Sequence, residues 1–507
     1  MKTVKSLLFG SAAGLLVIGG AQAADLPIKA KAVEYVRVCS LYGAGFYYMP
    51  GTDTCIKFGG YLRADTSVAA GDYSFQQGVQ GANNRLSNYW YSRARMDMTV
   101  DTRTATEYGV VRTYADLVYT WTTDNYTGSN PSVYSSVGGA QTNSNSAIGG
   151  GQLGIYHAFI QFAGFTFGRT VSIFDAPWQS YPAGGPDTLP GGSNHVTGVN
   201  QVAYTADFGQ GITGSIALQD PTQYDQSNLW NTTGFATGAA AASAFVTGVY
   251  GANDWGGTRS PDIVGAIRVD QAWGLFQFSA VAHDLHSAYY GATELTGHPS
   301  DKWGWAVQGS LSIKNIPTGP GDSINLQAVY TDGATRYNFQ SLFPQSILMF
   351  SGSNAAGAYQ SVGIGVLADG VFGAGTGIDT VKTWGFRGGY THNWSPNWAS
   401  AIYGAYGSVS YGSTGKGLIC ANFAVVANPG ATCNPDFNLA AIGTNVVWTP
   451  VKNLAFTADV VWTHLDQKYS GTATNPTGIA SLAKPGAVYE LKDQNSVSML
   501  LRAQRNF

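Results

Sequence analysis

Charge, cysteine and long apolar runs are what this chain has least of. Asp, Glu, Lys and Arg make up 11% of its 507 residues, against roughly 25% in a typical soluble domain. The formal balance is −3, which argues against nucleic acid as a partner, since that would want a basic face. Beyond the first segment no run of about 18 apolar residues occurs, so no helix is written to cross a bilayer. There is no G-x-S-x-G nucleophile elbow and no phosphate-binding loop. The seven histidines are scattered, and the nearest pair, His283 and His286, has no Cys or carboxylate at metal-ligand spacing. No enzyme activity, metal or cofactor is therefore expected. A lipid-hydrolysing barrel would need a Ser and a His on neighbouring lipid-facing positions, and no such pair is found.

The four cysteines form two local pairs, Cys39 with Cys55 and Cys420 with Cys433. An even count in an exported chain points to disulfides made in an oxidising compartment. Of the three possible connectivities, loop closure favours the two local bridges, because near neighbours meet most often. No C-x-x-C spacing suggests a redox role.

What the chain does have is glycine and aromatic residues, with 66 Gly, 29 Tyr and 13 Trp. It opens with Lys2 and Lys5, an apolar stretch from Leu7 to Gly20 and the small-residue site Ala21-Gln22-Ala23, the layout of a secretory signal peptide over residues 1–23. The mature chain would begin at Ala24 with 25 basic and 30 acidic groups, a balance of −5. Residues 24–55 read as a leader holding the first cysteine pair and a possible short strand at Val33-Glu34-Tyr35-Val36. With no apolar helix available, the remaining membrane solution is a closed barrel, since only a helix or a closed sheet satisfies its own backbone in lipid. A soluble exported β-protein would share the Gly and Tyr content, so composition leaves both open.

From residue 56 to 507 the chain breaks into stretches of about ten residues in which apolar and polar side chains alternate. In the first, Ile56, Phe58, Leu62 and Ala64 share one face, while Lys57, Tyr61, Arg63 and Asp65 share the other. Next, Trp90, Ala94, Met96, Met98 and Val100 oppose Arg93, Arg95, Asp97, Thr99 and Asp101. A third sets Val111, Ala115, Leu117, Tyr119 and Trp121 against Arg112, Tyr114 and Asp116. The polar face of a β-sandwich would carry a solvent mixture of Lys, Glu, Ser and Thr. Here it collects Arg and Asp, and the apolar face has aromatics near its ends, as a lumen and a lipid belt require.

Roughly sixteen such stretches can be counted, an all-β transmembrane antiparallel barrel. Their connections alternate strictly between short and long. Short ones include Thr104-Ala105-Thr106, Ala163-Gly164, Gly209-Gln210-Gly211 and Asn393 to Asn397; long ones include 122–152, 220–260, 332–380 and 465–494. Bacterial barrels place short turns on the periplasmic side and long loops outside. Connections this long are normally disordered or functional.

The inward basic residues are Lys57, Arg63, Arg93, Arg95 and Arg112. Neighbouring strands about 4.8 Å apart would stack them into one patch, and charged walls set ion preference in pores. A plainer role is lumen solvation, balanced by Asp65, Asp97, Asp101 and Asp116.

The run Tyr35-Val36-Arg37-Val38-Cys39, then Tyr42-Gly43-Ala44-Gly45-Phe46-Tyr47-Tyr48-Met49-Pro50-Gly51-Thr52-Asp53-Thr54-Cys55 and Gly59-Gly60-Tyr61-Leu62-Arg63, resembles the start of the alphaproteobacterial porin family. The end, Leu500-Leu501-Arg502-Ala503-Gln504-Arg505-Asn506-Phe507, is similar to that family's last strand. The resemblance implies a sixteen-stranded homotrimeric barrel in the bacterial outer membrane, in contact with its lipid and lipopolysaccharide. It implies passive diffusion of small hydrophilic solutes and ions through a lumen narrowed by the third long loop. That loop would follow Phe165-Thr166-Phe167-Gly168-Arg169 and run from about Ser172 to Val199, with Asp175 and Asp187 facing the basic wall. Terminal Phe507, after Val497, Met499 and Leu501, resembles an outer-membrane assembly signal, although Arg505 stands where an aromatic is often found. Two alternatives remain. One is a sugar-specific channel using Tyr61, Tyr91, Tyr114 and Tyr403, and the other an adhesive or structural surface protein.

Overall fold

The computed structural model describes residues 37–69, 79–80, 90–122, 152–178, 189–222, 226–233, 254–340, 343, 346–479 and 484–507. The signal peptide expected over residues 1–23, the short strand expected at Val33–Val36 and Asp187 lie outside the described residues.

Strict two-residue alternation produces sixteen wall strands. They are β1 (Cys55–Ala69), β2 (Trp90–Thr106), β3 (Gly109–Thr122), β4 (Gln152–Phe162), β5 (Phe165–Thr170), β6 (Val199–Asp207), β7 (Ile212–Gln219) and β8 (Asp262–Gln271). They continue as β9 (Gly274–Leu285), β10 (Lys302–Lys314), β11 (Ser323–Asp332), β12 (Lys382–Ser395), β13 (Trp398–Ser410), β14 (Phe437–Val451), β15 (Leu454–Gln467) and β16 (Gln494–Asn506). Each pairs antiparallel with the next, and β16 returns to β1, with Asp65 opposite Arg502 and Thr66 opposite Leu501. The sheet therefore has no free edge. Its period-two faces are sorted as the sequence predicts: Phe58 and Leu62 are 63% and 53% exposed on the outside, while Asp65 and Ser67, at odd positions further along the strand, are buried inside. Outward Trp303, Trp305 and Trp384 mark the long-loop rim, and Trp394, Trp398 and Trp448 the short-turn rim, the two aromatic girdles of a lipid belt.

The strands extend a few residues further than the alternation alone suggests. β2 runs through Thr106, so its turn is Glu107-Tyr108 rather than Thr104-Ala105-Thr106. At Gly209-Gln210-Gly211 three successive residues have positive φ, of 79°, 53° and 76°. A Cβ on Gly211 would sit 2.1 Å from the Asp270 carbonyl, so this turn needs glycine for both its conformation and its close approach.

The long connections differ most from the sequence reading, which gives 332–380 no structure of its own. Ser346–Ser351 pairs antiparallel with Gln360–Val366, which runs parallel to Ala487–Leu491. Val79–Gln80 and Thr472–Asn475 complete a five-stranded sheet from three different loops. Asn228–Asn231 pairs in parallel with Ala368–Phe372, and a helix, α1 (Ser413–Phe423), lies in the loop after β13. These segments share one apolar core, including Trp230, Ile347, Phe350, Val362, Ile364, Phe423 and Tyr489, which continues onto wall residues Phe437, Leu439, Leu465 and Leu500. Strands buried on both faces show no alternation, which hid them in the sequence.

Both local disulfides are present, with Cα separations of 6.0 Å for Cys39–Cys55 and 5.6 Å for Cys420–Cys433. One ties the leader to the start of β1; the other ties α1 to the returning loop. Unreduced peptide mapping by mass spectrometry should recover these two linked peptides, and either Cys39 or Cys55 joined to a late cysteine would contradict this topology.

Candidate functional site

The inner faces of β16, β1, β2 and β3 carry the charge. Asp65 lies across the ladder from both Arg93 and Arg502. Its Oδ2 accepts from Arg93 Nε and Nη2 at 2.8 and 2.6 Å, and its Oδ1 accepts from Arg502 Nε at 2.7 Å. The Asp65 carboxylate is fully buried between them. Two residues along β1, Arg63 stands directly opposite Arg95. Arg63 Nε donates to Gln504 Oε1 at 2.7 Å, and its guanidinium lies 4.5 Å over the Tyr61 ring. Arg95 Nε donates to the Thr120 hydroxyl at 3.0 Å and lies 5.7 Å over Tyr156. Among the described residues neither makes an ion pair.

Further toward the short turns, Asp97 touches Asp116, whose Oδ2 meets His157 Nδ1 at 2.9 Å. Beyond that, Lys57 stands opposite Asp101, and Arg103 opposite Arg112. Asp101 Oδ2 accepts from Nη2 of both arginines at 3.0 Å.

The opposite wall holds the inserted loop. After Thr170 the chain turns inward and returns at Val199. Phe174 is fully buried in a pocket of inward-facing Ala203, Ala217, Val264, Val281, Ala306 and Val329, and Leu189 is buried beside Tyr403, Ala405, Ala441 and Val461. Burying each such side chain contributes roughly 1.5–3 kcal/mol. A series of wall amides then holds the loop's carbonyls. Gln201 donates to Val171 O at 2.8 Å, Gln277 to Asp175 O at 2.8 Å and Gln308 to Phe174 O at 2.7 Å. Gln327 donates to Gln308 at 2.5 Å and accepts from Arg387 Nε at 2.8 Å. Arg387, 1% exposed, donates through Nη2 to Ser193 O at 2.7 Å and through Nη1 to Gly192 O at 3.3 Å.

This geometry divides the basic set expected from the sequence. Arg63, Arg93 and Arg95 cluster, but Arg112 joins Arg103 and Lys57 near the turns. Arg103 lies eight positions past Arg95 on β2, roughly 27 Å at about 3.4 Å per residue. Asp175 does not face the basic wall. Its carboxylate is fully buried inside the loop, accepting from the Ser193 hydroxyl at 2.5 Å and the His195 amide at 2.6 Å, and meeting His195 Nδ1 at 2.7 Å. Burial pushes its pKa up, but the His195 ring and these donors hold it below the ordinary carboxylate range. It is a structural anchor.

Of the tyrosines named for a sugar path, Tyr403 is buried behind Leu189 with its hydroxyl on Asp459 at 2.5 Å. Tyr61 and Tyr114 lie under Arg63 and Arg112 respectively. His283 and His286 do have carboxylate partners, Asp262 at 2.7 Å and Asp301 at 2.8 Å, but different ones. Sequence reasoning missed Arg103, Arg387, Arg502 and the glutamine series. The available signal was inward positions of β6 to β11 occupied by Ala, Val and Gln, where a water-lined wall would carry charge.

A family model described as Porin subfamily matches residues 25–500. The chain belongs to the porin family. Among curated relatives, Porin Omp2a of Brucella melitensis biotype 1 is 31% identical over 66% of this chain and 75% of its own length. Porin Omp2b of Brucella abortus strain 2308 is 30% identical over the same shares. The outer membrane channel DcaP of Acinetobacter baumannii shares the fold, with a TM-score of 0.55, 15% identity, and coverage of 91% of this chain and 99% of that one. As an outer-membrane porin, the chain has its long loops outside and its short turns in the periplasm.

If the amide series sets the position of this porin's inserted loop, Arg387→Met should free the Gly192–Ser193 segment. Single-channel conductance should rise and become noisier, with a stability loss on the order of 3 kcal/mol from buried carbonyls left unpaired. Unaltered conductance together with unaltered unfolding would show that the segment is held by other contacts.

Proposed function

We propose that this porin is a passive diffusion channel for small hydrophilic solutes that favours anions. The observation that carries the reading is the Arg63–Arg95 pair, two like charges facing each other across the ladder with no ion-pair partner among the described residues. The wider wall agrees. Lys57, Arg63, Arg93, Arg95, Arg103, Arg112 and Arg502 give seven cationic groups against the four carboxylates of Asp65, Asp97, Asp101 and Asp116. A surplus of one sign in a low-dielectric channel raises the local concentration of counter-ions. Arg93 contributes less than Arg95, because Asp65 already balances it. Loss of the aromatic path at Tyr403 weighs against a sugar-specific channel. A water-filled lumen beside the inserted loop weighs against a purely adhesive or structural role.

Homotrimer assembly is part of the proposal. A membrane strand needs about 9–11 residues, yet β5 has 6 and β7 has 8. Their outward Phe165, Phe167, Ile216 and Leu218 are exposed. A wall this short is better covered by another copy of the chain than by lipid. Elsewhere the aromatic girdles would meet outer-membrane lipid, and the long-loop rim lipopolysaccharide.

Two measurements test this. The double variant Arg63→Gln, Arg95→Gln should move the reversal potential in a KCl gradient toward cations, strongly at low salt and weakly at 1 M, where charge is screened within about 3 Å. An unshifted potential in a variant that still conducts would remove this pair from the selectivity mechanism. On unheated gels in mild detergent the protein should run as a trimer that boiling converts to monomer; a monomer before heating would refute the assembly.

A further inference from the structure

A cavity of about 540 Å³ opens at the periplasmic mouth, bounded by Tyr42 of the leader, by Arg103, Val110 and Arg112 of β2 and β3, and by the β4–β5 turn at Phe162. This volume lies within the range of about 300–1,000 Å³ that holds small organic ligands. The Cys39–Cys55 bridge fixes the leader here, and Phe46 beside it is buried. The Arg103 guanidinium lies 4.9 Å over Phe46 and 5.7 Å over Tyr42. Arg112 lies 5.4 Å over Phe159 and 5.1 Å over Tyr114. Both guanidinium groups that line the cavity are thus held against aromatic rings, of which Tyr42 itself lines the cavity.

Two features remain unfilled. Arg103 and Arg112 share a single carboxylate, Asp101, so one positive charge at the cavity wall is not balanced by it. The Tyr42 hydroxyl is buried and has no hydrogen-bond partner among the described residues, a costly state for a donor. Apolar Val110, Phe162 and Phe165 line much of the rest, with Gln161, Thr166 and Thr205 as its other polar groups. We infer that this vestibule is a binding subsite for small carboxylates with a flat apolar body, placed where solute leaves the lumen for the periplasm. The carboxylate meets Arg103 and the Tyr42 hydroxyl, and the ring lies against Val110 and the turn. Charge from the arginines selects the anion, and the aromatic and apolar surface selects the planar body. This rests on the channel reading for its role in transport, but the site itself is a property of the leader and the barrel mouth.

The probe is benzoate, with benzamide as its neutral counterpart and acetate as the carboxylate without a ring. Equilibrium binding to the full-length mature protein in detergent, by calorimetry or saturation-transfer NMR, does not depend on conductance. Benzoate should bind, with benzamide and acetate each at least tenfold weaker. Tyr42→Phe removes only the hydroxyl and should weaken benzoate about three- to tenfold, the range expected for one hydrogen bond, while leaving KCl conductance as it was. Arg103→Gln should weaken benzoate tenfold or more. Equal binding of benzoate and benzamide, equal binding of acetate, or wild-type affinity in both variants would each overturn the subsite. Absence of KCl conductance without benzoate would instead defeat the channel reading, whatever the binding result.

Discussion

In the hydrocarbon interior a backbone N–H or C=O that lacks a partner costs several kcal/mol, and water is not available to supply one. A sheet meets that constraint by closing, and here the pairing of β16 with β1 does so from Tyr61–Asn506 to Ala69–Ser498. Closure has a consequence for every side chain. With all strands locked in register, each residue faces either lipid or lumen, and no third environment exists for the wall. The alternation of Phe58, Leu62 and Ala64 with Lys57, Arg63 and Asp65 is that choice written residue by residue. Barrel geometry therefore fixes the inner rows of charge before any individual interaction is considered.

The inner surface is then divided between two tasks that need different chemistry. From β6 to β13 it presents mostly Ala, Val, Ser, Thr and Gln, with Arg387 and the Asp262–His283 pair buried among them, which suits protein rather than water. Phe174 and Leu189 fill its apolar hollows, and the glutamine amides take carbonyls that would otherwise be stranded inside the barrel. Asn338 and Gln340, buried in the long loop after β11, bind Gly191 and Leu189, so the inserted loop is held from both sides. From β16 to β3 the wall keeps its arginines and aspartates, which favour hydration. One half of the inner surface is thus packed with protein and the other half left charged.

The barrel was legible because a half-buried strand writes its two faces into the sequence. All sixteen strands follow from that pattern, along with the alternation of short turns and long loops. The five-stranded sheet of the long loops was not legible, because Ser346–Ser351 and Gln360–Val366 are buried on both faces and read as short apolar fragments between glycines. The site was legible in part. Alternation places Arg63, Arg93, Arg95 and Arg112 inward, but their heights depend on register, which spacing within one strand does not contain. Asp175 was misplaced for a related reason. An acid in a loop can point into water or into the loop, and the deciding partners, Ser193 and His195, stand 18 and 20 residues away.

Register also explains how so many arginines coexist on neighbouring strands. Like charges directly opposite one another are destabilising, and removing the partner from a buried ion pair typically costs about 3–5 kcal/mol. Asp65 sits at the seam where β16 meets β1, and its two oxygens take one arginine from each adjacent strand. One buried carboxylate therefore draws β16 and β2 together across β1 while neutralising half of the charge that it gathers. Arg63 and Arg95, one row away, are held sideways by Gln504 and Thr120 rather than by an acid. Their hydrogen bonds fix position without cancelling charge. The closing seam of the barrel and the positive face of its lumen are thus the same structural feature, and a substitution that relieves the charge at Asp65 also loosens the closure.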